Sequence, residues 1–143
     1  MNKLKIYLDT SVISHLEAPD TPHKMQDTLN FWNNLENEIY VPFISEVTQE
    51  ELLKCNEPKK SLMFGYLKSI KFETIQFNEE MVNLSQEILN KKILTEKSRD
   101  DCKHIASAIV SNCDIIASWN FKHLVNIKTI NGVRELGRVP TNK

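Results

Sequence analysis

The chain has 143 residues, 41% hydrophobic and 26% charged, with a formal net charge of -1 and a pI of about 6.4. That length can bury a proper core and makes one domain, residues 1–143, the expectation, while the charge excludes a protein that holds nucleic acid by bulk phosphate neutralisation alone. No stretch approaches the roughly 20 apolar residues that cross a bilayer, and lysines 3 and 5 lead into alternation rather than a signal-peptide apolar region, so the expected setting is the cytoplasm.

Leu4, Ile6 and Leu8 alternate with Lys5 and Tyr7, which predicts a buried strand. It runs into Asp9-Thr10-Ser11, and a short helical piece follows through Val12, Ile13 and Leu16. APDTPH (18–23) reads as a turn. Met25, Leu29, Trp32 and Leu35 then fall at helical spacing. EIYVPFIS (38–45) is a second strand, with Pro42 placing it near a sheet edge or a strand end. Ser45 is the expected N-cap of a helix running through Cys55. Pro58 fits the first turn of the next helix, to about Ser69.

FETIQF (72–77) alternates as a short strand, and Asn78 caps a helix to about Asn90. Ser98 caps another across RDDCKHIASAIVS (99–111). DIIASW (114–119) and IKTI (127–130) are two further strands, the second ahead of the turn pair Asn131-Gly132. Strands that alternate with helices argue for an α/β fold with a mainly parallel sheet. Cys55, Cys102 and Cys113 form no C-x-x-C pair and sit among apolar residues, so they read as buried free thiols rather than a zinc site or a disulfide framework.

Ligands of open α/β sheets gather at the carboxyl ends of the strands, where Asp9 lies. Aspartate is also a favoured N-cap, so capping and metal binding both stay open there. Glu51 shares a helical stripe with Thr48, Leu52 and Cys55, as a ligand or as a charge at the stripe's margin. Asp101 stands three residues after Ser98 in capping-box geometry, yet heads the stripe of Ile105 and Ala108. Asn120 follows the strand end at Ser118. Oxygen-bearing groups thus recur at three strand ends or the helices that follow. Metal-assisted chemistry needs such convergence, and oxygen ligands select magnesium or manganese over zinc. Carboxylates so close repel one another without a cation. Asp9→Asn is therefore expected to stabilise the metal-free protein.

The segments YLDTSVIS, ISEVTQEEL, DDCKHIASA and DIIASWNFKHL together resemble the PIN-domain nucleases, close to the VapC-like toxins of bacterial toxin–antitoxin pairs. The match covers essentially the whole chain, and D-x-x-H-I-A-x-A and S-W-N-F-K-H-L are its most specific pieces. The resemblance implies a three-layer α/β fold, a central mainly parallel sheet flanked by helices. It also implies Mg2+- or Mn2+-dependent cleavage of RNA, a cognate antitoxin and a homodimer.

Carried over by position, the metal-binding acids are Asp9, Glu51 and Asp101. Spacing from Ser45 favours Glu51 over Glu46 or Glu50, and the register through His104 favours Asp101 over Asp100. Many relatives carry aspartate where this chain has Asn120, an amide that adds no charge, which leaves Asn120 a catalytic position beside a weakened second metal site. The implied chemistry is phosphodiester hydrolysis by a metal-activated water, with Asn120 and the Ser11 hydroxyl positioning ligands or water. His104, beside Ile105, reads as a packed, hydrogen-bonded histidine rather than an acid–base group. An aspartyl-nucleophile phosphatase would want an acid where Ser11 stands. An inactive PIN-like RNA- or protein-binding module is the alternative that Asn120 suggests, and the three intact acids stand against it.

Overall fold

The computed structural model describes residues 3–91 and 99–119. Strand β1 (Lys5–Leu8) leads into α1 (Thr10–Ser14), a 3-10 turn (His15–Glu17) and α2 (Pro22–Glu36). Strand β2 (Val41–Ser45) is followed by α3 (Glu46–Leu53) and α4 (Lys59–Leu67), and β3 (Glu73–Ile75) by α5 (Glu79–Asn90) and α6 (Arg99–Val110). Strand β4 (Ile115–Ala117) closes the described chain. All pairings are parallel, in the order β3-β2-β1-β4.

The alternation in β1 decides the layers. Successive side chains point to opposite faces. Ile6 and Leu8 therefore join Trp32, Leu35, Ile44, Leu52 and Met63 under α1 to α4. Tyr7 points the other way, into a cluster with Met81, Leu84, Ile88, Cys102 and Ile105 under α5 and α6. Ala106 and Ala108 are fully or nearly fully buried there, small enough to let α6 lie close. The expected three-layer α/β sandwich is what these faces build.

Local details follow sequence chemistry. The Ser45 hydroxyl accepts from the Thr48 N–H at 3.2 Å and starts α3, and the Asn78 amide oxygen accepts from the Met81 N–H at 3.0 Å and starts α5. Of the two places expected for Pro42, the strand end holds, since it is the second residue of β2, and the sheet edge does not, because β2 is interior. It precedes Phe43–Ser45, the stretch paired with β3, so its missing N–H removes no bond from that ladder. Helix α2 starts at Pro22, inside the span expected as a turn, since proline is favoured in a first helical turn. The expected Ser98 cap and the IKTI strand lie outside the described residues.

Helix α6 ends just before Cys113, a half-buried free thiol. Burial, then the neighbouring Asp114 charge, pushes that thiol up to about 12, and Lys5 only partly offsets them. Only the thiolate is nucleophilic. At pH 8 the folded protein should alkylate at Cys113 with iodoacetamide at least tenfold more slowly than the urea-unfolded chain. Peptide mass spectrometry over time reads both rates, and equal rates would mean the thiol is not held protonated.

Candidate metal centre

The sheet order sets the location. From β1 the chain moves outward through β2 to β3, then returns to lay β4 on the other side of β1. Ligands of open α/β sheets bind at such a reversal, beyond the carboxyl ends of the strands. Leu8 and Ala117 end the two strands that flank it, and the Asp9 N–H donates to the Ala117 carbonyl at 3.1 Å.

Asp9 is the N-cap of α1, extended at φ -76 and ψ 157. It does the capping itself, and Thr10 and Ser11 lie inside the helix. Its Oδ2 accepts from the Ser11 N–H at 3.3 Å, the Ser11 hydroxyl at 2.7 Å and the Ser118 hydroxyl at 2.8 Å. Ser11 Oγ also accepts from the Trp119 N–H at 2.8 Å, so the segment after β4 is tied to the same aspartate. Oδ1 is left to face inward, with His104 Nε2 at 3.2 Å.

Glu51 arrives from α3. The Ser45 cap sets the phase of that helix, and the Thr48 hydroxyl, donating to the Leu8 carbonyl at 3.2 Å, pins it to the end of β1. Glu51 Oε1 accepts from the Thr10 hydroxyl and from His104 Nε2 at 3.0 Å. Burial alone would raise the Glu51 carboxyl. The His104 and Thr10 hydrogen bonds, with the charges of His104 and Lys54, outweigh it and hold the carboxyl below its ordinary value.

His104 is 1% exposed. Burial disfavours its charged form, but the Glu51 bond and the charges of Asp9, Glu51 and Asp101 raise it above the ordinary imidazole value. On its other side Nδ1 lies 2.5 Å from the Tyr7 hydroxyl, which lies 2.6 Å from Ser45 Oγ. Burial, then the nearby Asp9 and Glu51 charges, raise the Tyr7 phenol against the Ser45 and Thr48 bonds, so it stays neutral. With a neutral imidazole the chain of donors runs from Ser45 to Tyr7 to Nδ1, and Nε2–H is shared by the two carboxylates.

Asp9, Glu51 and His104 thus offer ligand atoms within 4.8 Å of one another, the group of this kind found among the described residues. Two carboxylate oxygens converging on one point, each fixed by separate donors, are a donor set that fits a hard divalent cation. Asp101, half-buried at the head of α6, is not in this group; it lies one helical turn before His104 and its charge reaches the imidazole. Asn120 lies outside the described residues. Sequence reasoning placed His104 as a packed histidine, and it is buried and hydrogen-bonded, but at the centre of the site. The i, i+3 spacing from Asp101 was the available signal. Thr10, Tyr7 and Ser118 were missed, since single hydroxyls carry no spacing rule. A cleft of about 150 Å3 opens beside Glu51, with Lys54 and Lys103 among its lining residues.

The PIN domain family model matches residues 6–122. Among solved structures, the chain is similar to VapBC2 from Rickettsia felis bound to a DNA fragment from their promoter, with a TM-score of 0.56 and 18% identity over 88% of this chain and 95% of that one. At that identity the likeness speaks for the fold alone. No curated protein matches the sequence.

Proposed function

This chain belongs to the PIN-domain family of nucleases, and from that premise we propose that it is a Mg2+- or Mn2+-dependent endoribonuclease, the toxin of a toxin–antitoxin pair. The observation that carries the reading is the convergence of Asp9 Oδ1 and Glu51 Oε1 at 3.2 and 3.0 Å from one point, His104 Nε2, at the sheet's reversal. Asp9, Glu51 and Asp101 would hold the cation. When bound, the cation lowers the pKa of a coordinated water and offsets charge on the phosphate.

The chain's own groups prepare that site. Ser11 and Ser118 fix Oδ2 of Asp9, so Oδ1 needs no reorientation to accept a cation. Thr10 instead donates to Oε1 of Glu51, the oxygen that also meets His104, and so fixes the rotamer of that carboxylate through its inward-facing atom. His104, held from behind by Tyr7, keeps the two carboxylates at one separation. Asn120 orients water or a phosphate oxygen in the position where relatives carry a fourth acid. An antitoxin and a second copy of this chain are the proposed partners, in the cytoplasm, with the chain acting as a single domain. Among the described residues no helix is long and apolar enough to cross a membrane.

One observation favours a second reading, an inactive PIN-like RNA- or protein-binding module. His104 Nε2 already bonds both carboxylates, as a structural pin would. Turnover separates the two. Purified protein should cut RNA with Mg2+ or Mn2+, stop in EDTA, and lose at least tenfold in rate on Asp101→Asn, read by gel electrophoresis of labelled RNA. Equal cleavage by Asp101→Asn would remove Asp101 from the site, and no cleavage with any divalent metal would leave the binding module.

A further inference from the structure

A second concavity adjoins the carboxylate centre. It holds about 180 Å3 between α1, α2 and the end of β4, with Val12 and Ala117 as its floor, Phe31 and Trp119 as aromatic lining, and Asp27 and Ser118 as polar groups. Ser118 is the residue whose hydroxyl binds Asp9 Oδ2, so the pocket and the metal-facing carboxylate share a wall.

The Trp119 side chain is fixed rather than loose. Its backbone N–H is held by Ser11 Oγ at 2.8 Å, and its indole Nε1–H donates to Thr28 Oγ1 at 2.8 Å. Thr28 in turn donates to the Lys24 carbonyl at 2.6 Å, which locks the indole to α2. Lys24 Nζ lies over the indole ring, 5.5 Å from its centroid, a cation beside an aromatic surface. Aromatic surface, a nearby cation and a polar reading group are what proteins use for unstacked bases of single-stranded RNA.

We propose that this pocket receives the nucleobase next to the scissile phosphate and that Asp27 selects among bases. The inference rests on the ribonuclease reading and adds to it a specificity residue. A carboxylate only accepts hydrogen bonds. It can therefore take the exocyclic amino group of cytosine or adenine, whereas uracil offers only its N3–H, set between two carbonyl oxygens that repel the carboxylate. Asp27 is exposed, on the same helix one turn after Lys24, and has no salt bridge among the described residues. Asp27→Asn keeps the shape and adds donors, so it should accept uracil.

The test is fluorescence anisotropy with 5′-labelled hexamers of A, C or U, in EDTA so that nothing is cut, followed by mapping of cut sites in a randomised RNA with Mg2+. Wild type should bind the A and C hexamers about tenfold more tightly than U, and cut with uracil depleted at one position beside the break. Asp27→Asn should bring the three hexamers within about twofold and remove the depletion. Trp119→Leu should weaken all three about tenfold. An unchanged base preference in Asp27→Asn, or wild type that binds the hexamers without preference, overturns the pocket. Binding with the expected preference but no cleavage in Mg2+ leaves the pocket standing and sinks the ribonuclease reading; cleavage with no bias that Asp27→Asn alters does the reverse.

Discussion

Glu51→Gln should lower RNA cleavage by about 10²–10³-fold, while Glu50→Gln stays within about twofold of wild type. The contrast comes from helix phase. The Ser45 cap starts α3 so that Glu51 turns to Asp9 and His104, whereas its neighbour Glu50 is exposed. Glutamine keeps an oxygen for the Thr10 and His104 donors that meet Oε1. Shape and hydrogen bonds therefore survive, and the lost quantity is the negative charge that would hold the cation. Glu46→Gln is the sharper control. Its carboxylate accepts from the Phe77 N–H at 2.7 Å, a structural bond that the amide oxygen can replace, so a small loss of stability and little loss of rate are expected. Rates on a labelled RNA across a Mg2+ series decide it. If Glu50→Gln is the damaging change, or if Glu51→Gln is rescued at no metal concentration yet melts far below wild type, Glu51 is a structural residue.

The layers and most of the helices were legible because they rest on local rules. Period-2 alternation in residues 4–8 gave β1, and side-chain caps at Ser45 and Asn78 gave two helix starts. The interior place of β2 was not legible. Proline excludes a position in a ladder only where its N–H would have been used, and which residues of β2 meet β3 is a property of the sheet register. The site divides in the same way. Strand end and helix phase made Asp9 and Glu51 candidates, the family resemblance selected them, and the structure brings them together. That His104 bridges them could not be read, since on α6 it is one more buried position beside Ile105. Its role comes from β1, whose Tyr7 hydroxyl takes Nδ1 and turns Nε2 toward the acids. Asp101 stands one turn before His104, its charge reaching the imidazole, and Asn120 lies outside the described residues.

Asp9→Asn, measured in EDTA, should melt lower than wild type by roughly 4–10 °C, the opposite of what the bare sequence suggests. Sequence alone sees two carboxylates converging and expects relief when one is neutralised. The structure places His104 Nε2–H between them, within 3.2 Å of Asp9 Oδ1 and 3.0 Å of Glu51 Oε1, so a shared donor already offsets the repulsion. What remains is the count of donors. Oδ2 of Asp9 takes three, and Oδ1 faces the His104 Nε2–H. Asparagine can put its oxygen in the Oδ2 place, but its amide then points N–H against N–H at His104, in a site where residue 9 is 3% exposed. Moving the histidine proton to Nδ1 would relieve that clash. Nε2 would then present a lone pair to Glu51 Oε1, and Tyr7 could no longer donate to Nδ1. One buried contact is lost either way, at a cost of about 1–3 kcal/mol, and for a chain of this size that corresponds to the shift stated above. Capping does not rescue it, since asparagine caps as well as aspartate. Excess Mg2+ should raise the melting temperature of wild type by mass action and leave the variant nearly unmoved. Thermal melts of both proteins, with EDTA and with Mg2+, carry the decision. A variant that melts higher in EDTA would mean that carboxylate repulsion dominates despite His104, and equal Mg2+ shifts would make Asp9 a helix cap and no ligand.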